Sequence, residues 1–313
     1  MKGLILALAG LLAVSAIHDP AAAQAVPDIQ DAISRGNSID DALREQRRTS
    51  LQPSAEDEGE IDGEAGVYVL TVNDIFFVGA SVGSGWEENP VRTIDDVGNS
   101  VFATAAVSAG IQTKLGDTID AGLAVTASGI EYEAAFAPSS RSVSASANLG
   151  LPLGRSPLYL GLTAYGGYSF DGGFDNGTAF YGASIGVSAA VPLGQRGLLR
   201  GSLSGGRALN DISENNAWNA NLSVGIAHRV TPDLTIAADA RVSRIWFDDF
   251  FEDVTFVARK DWQYGGNLTG TYAINDWISA SVSAGYEKRD SGFFLSNYDG
   301  FAASVVLTAR KRF

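Results

Sequence analysis

The chain has 313 residues, no cysteine and a formal net charge of −14, with an isoelectric point near 4.5. Without cysteine neither disulfides nor thiolate metal sites are available, and so acidic a chain offers no electrostatic footprint for nucleic acid. Beyond residue 25 no apolar run is long enough for a membrane helix, so a membrane-crossing form of this chain must close its backbone hydrogen bonds between strands.

The first segment, residues 1–25, reads as an export signal. Met1-Lys2 supplies a positive start, Gly3 to Ile17 an apolar core, and the small residues Ala21 to Ala25 an A-x-A site with cleavage after Ala23 or Ala25. With no cysteine there is no lipidation site. Residues 26–65 form a separate stretch. Ile29, Ala32, Ile33, Ile39, Ala42 and Leu43 suit two short amphipathic helices broken near Gly36. The acidic run Glu56, Asp57, Glu58, Glu60, Asp62 and Glu64 follows, of the kind that stays solvated. A loose periplasmic tether is the simplest reading; a plug inside a barrel, or a docking segment for a periplasmic partner, are the others.

Residues 66–313 read as strands throughout. About twelve are expected: one over Ile75 to Ser84, then near 99–114, 117–131, 140–153, 157–170, 178–192, 197–208, 217–229, 233–246, 261–273, 277–288 and 300–313. Connections alternate between short ones, at Gly116-Asp117, Gly154-Arg155, Gly194-Gln195, Thr231-Pro232 and Asn275-Asp276, and longer ones over about 85–98, 132–139, 171–177, 209–216, 247–260 and 289–299. Short turns at one end and long loops at the other are the pattern of a transmembrane up-and-down barrel. The strands alternate in polarity: Val101, Ala103, Ala105, Val107, Ala109 and Ile111 oppose Phe102, Thr104, Ser108, Gly110, Gln112 and Lys114, and Val143, Ala145, Ala147, Leu149 and Leu151 oppose Ser142, Ser144, Ser146, Asn148 and Gly150. Charges on the apolar face (Glu131, Arg207, Arg244, His228 and Lys311) all fall near strand ends, where the penalty drops from about 2–4 kcal/mol at mid-membrane to about 0–1. Aromatic residues on that face gather near the loop ends, as Trp86, Tyr168, Tyr181, Trp218, Trp246, Trp262 and Tyr286, and form an expected interfacial belt. Phe76, Tyr272 and Phe313 make a thinner one at the turn ends.

The last strand, GFAASVVLTARKRF, places Phe301, Ala303, Val305, Leu307, Ala309 and Phe313 on one face, interrupted only by Lys311, and stops on Phe313. This ending resembles the C-terminal signal of bacterial outer-membrane β-barrels. The resemblance implies a cell outer membrane location, contact with lipid and lipopolysaccharide, and reading of Phe313 by the barrel-assembly machinery. The stretch FFVGASVGSGWEENPVRT is also similar to the first strand and loop of barrels associated with exopolysaccharide export, which implies an export-system component as an alternative role.

Nothing in the sequence assembles a catalytic site, cofactor site or metal centre. Serine hydrolysis needs a histidine beside the nucleophile. His228, the one histidine after the leader, falls on the apolar face at a turn end. FDGGFDNG, residues 170–177, reads as an ordinary turn. The polar face is dominated by Gly, Ser, Thr, Ala and Asn. It is expected to present Lys114, Arg141, Arg200, Arg229, Arg241, Arg310 and Arg312 against Asp120, Asp239 and Glu287. A twelve-stranded lumen lined this way can hold water, and charges along it set ion preference. The expected function is a passive, non-enzymatic channel for small hydrophilic solutes with mild anion preference. The alternatives are a polysaccharide or lipoprotein export component, or a closed structural or adhesive surface protein in which Asp239 pairs with Arg241. Glu87-Glu88, Asp95-Asp96, Asp248-Asp249 and Glu252-Asp253 are expected in long outer loops, solvated in the simplest reading, with bridging to lipopolysaccharide through divalent cations as the alternative. Phe250, Phe251, Phe293, Phe294 and Leu295 are expected to fold inward as a constriction or to pack under a lid, with an adhesive surface patch as the lesser alternative.

Overall fold

A computed structural model describes residues 75–313 apart from 91–97, 116–118, 136, 138, 155, 171–176, 213–214, 249–258 and 293–295. The leader, the 26–65 segment, Asp95-Asp96, Asp249, Glu252-Asp253 and the five apolar loop residues lie outside the described residues, as does most of the 170–177 turn. Twelve strands follow in order: β1 (Phe76–Glu88), β2 (Asn99–Leu115), β3 (Ile119–Tyr132), β4 (Ser140–Pro152), β5 (Leu158–Phe170), β6 (Gly177–Leu193), β7 (Gly197–Asn210), β8 (Ala217–Arg229), β9 (Leu234–Phe247), β10 (Lys260–Ala273), β11 (Ile278–Ser291) and β12 (Tyr298–Arg312). Each pairs antiparallel with its sequence neighbours. β12 returns to β1, with Phe77 opposite Arg312 and Glu87 opposite Ala302, and closes the barrel. Closure leaves no sheet edge with unpaired amides, which is the condition for a sheet to stand in hydrocarbon. At 13 to 17 residues, the strands exceed the roughly 9–11 residues a tilted strand needs to span a bilayer.

The short turns are built by side chains that cap the backbone. Thr231 Oγ1 accepts from the amides of Asp233 and Leu234 at 3.3 and 3.0 Å, and Asn275 Oδ1 from those of Trp277 and Ile278 at 3.0 and 2.9 Å. These closures are the reason Thr-Pro and Asn-Asp punctuate the sequence there. Gly154 and Gly194 hold positive φ angles of 65° and 67° in two further turns, a region that L side chains avoid.

Period-two alternation decides which face is which. Val82, Leu203, Leu222, Leu268, Val282 and Val305, all mid-strand, are each more than half exposed on the outside of the barrel. Among the described residues the inner face builds no continuous dry core. Buried hydrophobic side chains form two small groups, Leu198, Ala227 and Ala237 near the turn end and Phe102, Ile130, Tyr132 and Ala137 near the loop end, with Ala217, Phe247 and Tyr298 buried apart from them. Elsewhere the inner wall is stitched by hydroxyl pairs between residues directly opposite each other: Ser128–Ser142 (3.1 Å), Ser202–Ser223 (2.8 Å), Thr271–Ser281 (3.0 Å) and Ser283–Ser304 (2.8 Å).

β1 runs four residues past the expected end at Ser84, because its backbone keeps pairing with β2 and β12 through Glu87. Glu87 and Glu88 therefore belong to the wall and not to a loop. Glu87 points inward, buried, and accepts from the Tyr132 hydroxyl at 2.6 Å.

Candidate functional site

The lumen wall carries the chemistry. Of the charged residues expected to line it, Lys114, Asp120, Arg200, Asp239, Arg241, Glu287, Arg310 and Arg312 sit at inward register positions. Arg141 does not. It lies opposite Gly129 and Phe170, in the same row set as Val143 and Tyr168, and its guanidinium reaches Glu131 on the outer face at 3.4 Å. Two residues apart means the same face of a strand, so Arg141 shares the outward side with Val143.

The inward charges fall into two groups. At the turn end, on the wall formed by β12, β1, β2 and β3, Lys114 meets Asp120 at 2.9 Å. Arg310 lies over the Phe77 ring at 4.7 Å and donates to Gln112 Oε1 at 3.5 Å, and Arg312 stands opposite Phe77. Both members of the Lys114–Asp120 pair are about half exposed, so water reaches this mouth and screens it.

The second group climbs from the turn end of β7 to the loop end of β10 with alternating sign. Arg200 pairs with Asp239, and Arg241 with Glu287, which also accepts from the Tyr298 hydroxyl. Asp239 and Arg241 therefore do not pair with each other; two residues apart on one strand, each finds its partner two strands away. Glycines on the strands between make this possible. Gly225 of β8 lies opposite Asp239, and a Cβ there would run into the Asp239 carboxylate and come within 3.0 Å of Arg200 Nε. Gly265 of β10 lies opposite Arg241, whose Nε would be 3.1 Å from an added Cβ. The glycines are gaps through which the charged side chains cross.

Sequence reasoning missed the top of this ladder. Asp261 and Arg289 are wholly buried, with Nε of Arg289 3.7 Å from the carboxylate. Asp261 also accepts from Arg259 Nε at 2.9 Å and from Ser291 Oγ at 2.5 Å. Arg259 stacks over Phe247 at 4.5 Å and Arg289 over Tyr298 at 4.9 Å. The inward parity of Asp261 and Arg289 was available in the sequence, but their burial depends on neighbours from three strands. In all, eight cations face five carboxylates on the inner wall of the described residues: Lys114, Arg200, Arg229, Arg241, Arg259, Arg289, Arg310 and Arg312 against Glu87, Asp120, Asp239, Asp261 and Glu287.

On the outer face all seven expected belt aromatics point outward: Trp86, Tyr168, Tyr181, Trp218, Trp246, Trp262 and Tyr286 are each exposed. At the turn end Phe76, Tyr272, Phe313 and also Trp277 do the same. His228 faces outward at the turn end of β8, opposite Ile236 and Gly197. Among the described residues no group of three or more acidic or histidine side chains is placed to hold a metal ion.

No family model matches the sequence, and no curated protein matches it. In structure the chain is similar to an outer membrane channel from Pseudomonas putida F1, with a TM-score of 0.52 at 10% identity over 80% of this chain and 100% of that one. The NanC porin matches at a TM-score of 0.43 and 10% identity, covering 75% of this chain and 98% of its own. The beta domain of the Bordetella autotransporter BrkA matches at 0.43 and 11%, covering 75% and 99%. The fold is that of an outer-membrane β-barrel.

Proposed function

We propose that this barrel sits in a bacterial outer membrane and passes small hydrophilic solutes by diffusion, with a mild preference for anions. The observation that carries the reading is the inner wall: small hydroxyl, amide and glycine positions that stay partly accessible along most strands, with cations in excess of carboxylates. Three of the five carboxylates are engaged by arginine in the ladder, and Arg229, Arg310 and Arg312 place further cations at inward positions of the turn-end mouth. Fixed cations at a pore mouth raise the local anion concentration. The outward position of His228 agrees with a non-catalytic role. Recognition of Phe313 by the assembly machinery, and of residues 26–65 by a periplasmic partner, belong to the same proposal.

The test is single-channel recording of the full-length mature protein in a planar bilayer under a salt gradient. Discrete openings with a reversal potential on the anion side are expected, and Arg310→Gln with Arg312→Gln should move that potential toward cations. A barrel that never opens, with or without residues 26–65, would instead support a closed structural role. That second reading has its own observation: the paired ions of the inner wall and the buried Asp261–Arg289 group at the loop end.

A further inference from the structure

The aromatic belt on the outer face is broken over one sector. β1, β5, β6 and β8 to β12 each carry an outward aromatic side chain toward the loop end, Trp86, Tyr181 and Tyr286 among them. Among the described residues β7 has none, and β2, β3 and β4 form a run of three adjoining strands without one at any outward position. The aromatic side chains that this sector does carry, Phe102 and Tyr132, point inward and pack edge to face 5.7 Å apart. Outward, the middle of these strands is built from small side chains, Ala103, Ala105, Ala127, Gly129, Ala145 and Ala147, with valines between them. On β8 and β10 the mid-strand positions hold Leu222, Val224 and Leu268 instead. At the loop end of the sector stand two outward charges, Glu131 on β3 and Arg141 on β4. They meet through one hydrogen bond of 3.4 Å, the Glu131 side chain stays 60% exposed, and Arg141 Nε has no hydrogen-bond partner among the described residues.

Apolar side chains in a bilayer gain nothing by leaving lipid for one another, so contact between spanning elements depends on close packing of small residues and on polar pairs. Belt aromatics serve where a surface meets headgroups; a sector covered by protein has no use for them. Both conditions meet on β2 to β4, and the two charges identify the occupant. Two copies inserted in the same direction close as a pair through a two-fold axis along the membrane normal, with the same patch on both sides. An axis passing beside β3 and β4 sets β3 of one copy against β4 of the other at equal depth. The acidic strand end of each then faces the basic strand end of its neighbour. We infer that the β2–β4 face docks a second copy of this chain within the membrane, with Glu131 of each copy meeting Arg141 of the other. This pairing rests on insertion of the barrel in a membrane, as proposed above, and is independent of whether the lumen conducts.

The test uses the full-length mature protein folded into phosphatidylcholine vesicles at high lipid excess. The chain has no cysteine, so Ala145→Cys and, for comparison, the outward Ala183→Cys of β6 each carry a single thiol. A short bifunctional maleimide should link the 145 variant into dimers and leave the 183 variant monomeric. A second arm reverses the charges and follows association by energy transfer between dye-labelled chains. Glu131→Arg alone and Arg141→Glu alone each set like charges across the axis, and association should weaken roughly tenfold or more. Mixing the two variants sets a positive strand pair against a negative one and should restore association to within about threefold of wild type, although neither variant can form the pair inside its own chain. A pair that only stabilises the fold would not be rescued by mixing. Equal cross-linking at 145 and 183, association unchanged by the single reversals, or a mixture no better than its components overturns the inference. Should a charge variant fail to fold, as scored by gel mobility before heating, the thiol comparison decides alone. Insertion is scored separately: barrels that insert but do not associate lose only the interface, whereas failure to insert removes the membrane reading and the interface together.

Discussion

Asp261 is the residue on which most charge converges: two arginines and a serine meet its carboxylate, and none of it reaches solvent. Removing one member of a buried ionic group leaves uncompensated charge and costs about 3–5 kcal/mol, whereas an exposed pair contributes about 0–1. Asp261→Asn should therefore destabilise the barrel by several times as much as Asp120→Asn, whose pair with Lys114 is half exposed. Urea unfolding in lipid vesicles measures both; equal losses would show that the loop-end group is not a stabilising centre. The difference between these carboxylates is invisible in sequence, since both follow the inward parity of their strands. Arg141 shows the converse: its spacing of two from Val143 puts it on the outer face, so the expected lumen position had its parity wrong. A charge at a strand end can face lipid headgroups at little penalty.

At the scale of the strand, the recurring device is a glycine opposite a large inward side chain. Gly85 faces Phe102, Gly110 faces Phe77, Gly182 faces Tyr165, and Gly225 and Gly265 face the ladder residues Asp239 and Arg241. Gly225→Leu should push Arg200 and Asp239 apart and lower stability by about 1–3 kcal/mol through overpacking. Gly201→Leu, whose added Cβ would come no closer than 3.6 Å to its nearest neighbour on the outer face, should be nearly neutral. Thermal unfolding followed by gel mobility distinguishes them, and similar shifts would refute the gap role. The sequence shows such glycines only as weak points inside strands, because their purpose lies on the neighbouring strand. Strand number and turns were legible, since alternation and Thr-Pro or Asn-Asp turn chemistry are local. The loop ends of β1 and β11 were not: Glu87, Arg289 and Asp290 read as loop by composition, but the backbone pairing of closed neighbours carries the strands through them.

For the whole molecule, the inverted arrangement of apolar residues outside and hydroxyls and ions within is the property on which the membrane reading and the proposed channel both rest. The chain has no cysteine, so single thiols can be introduced along β11 from Ile278 to Glu287 without background. Each is spin-labelled in vesicles, and its accessibility to oxygen and to a water-soluble nickel complex is compared. The account predicts a strict two-residue alternation, with Ala280, Val282 and Ala284 open to oxygen and closed to nickel, and Ser281, Ser283 and Gly285 the reverse. Nickel reaching the 282 position as readily as 283, or oxygen failing to distinguish them, would mean that lipid does not cover the outer face, and would contradict the account at its root.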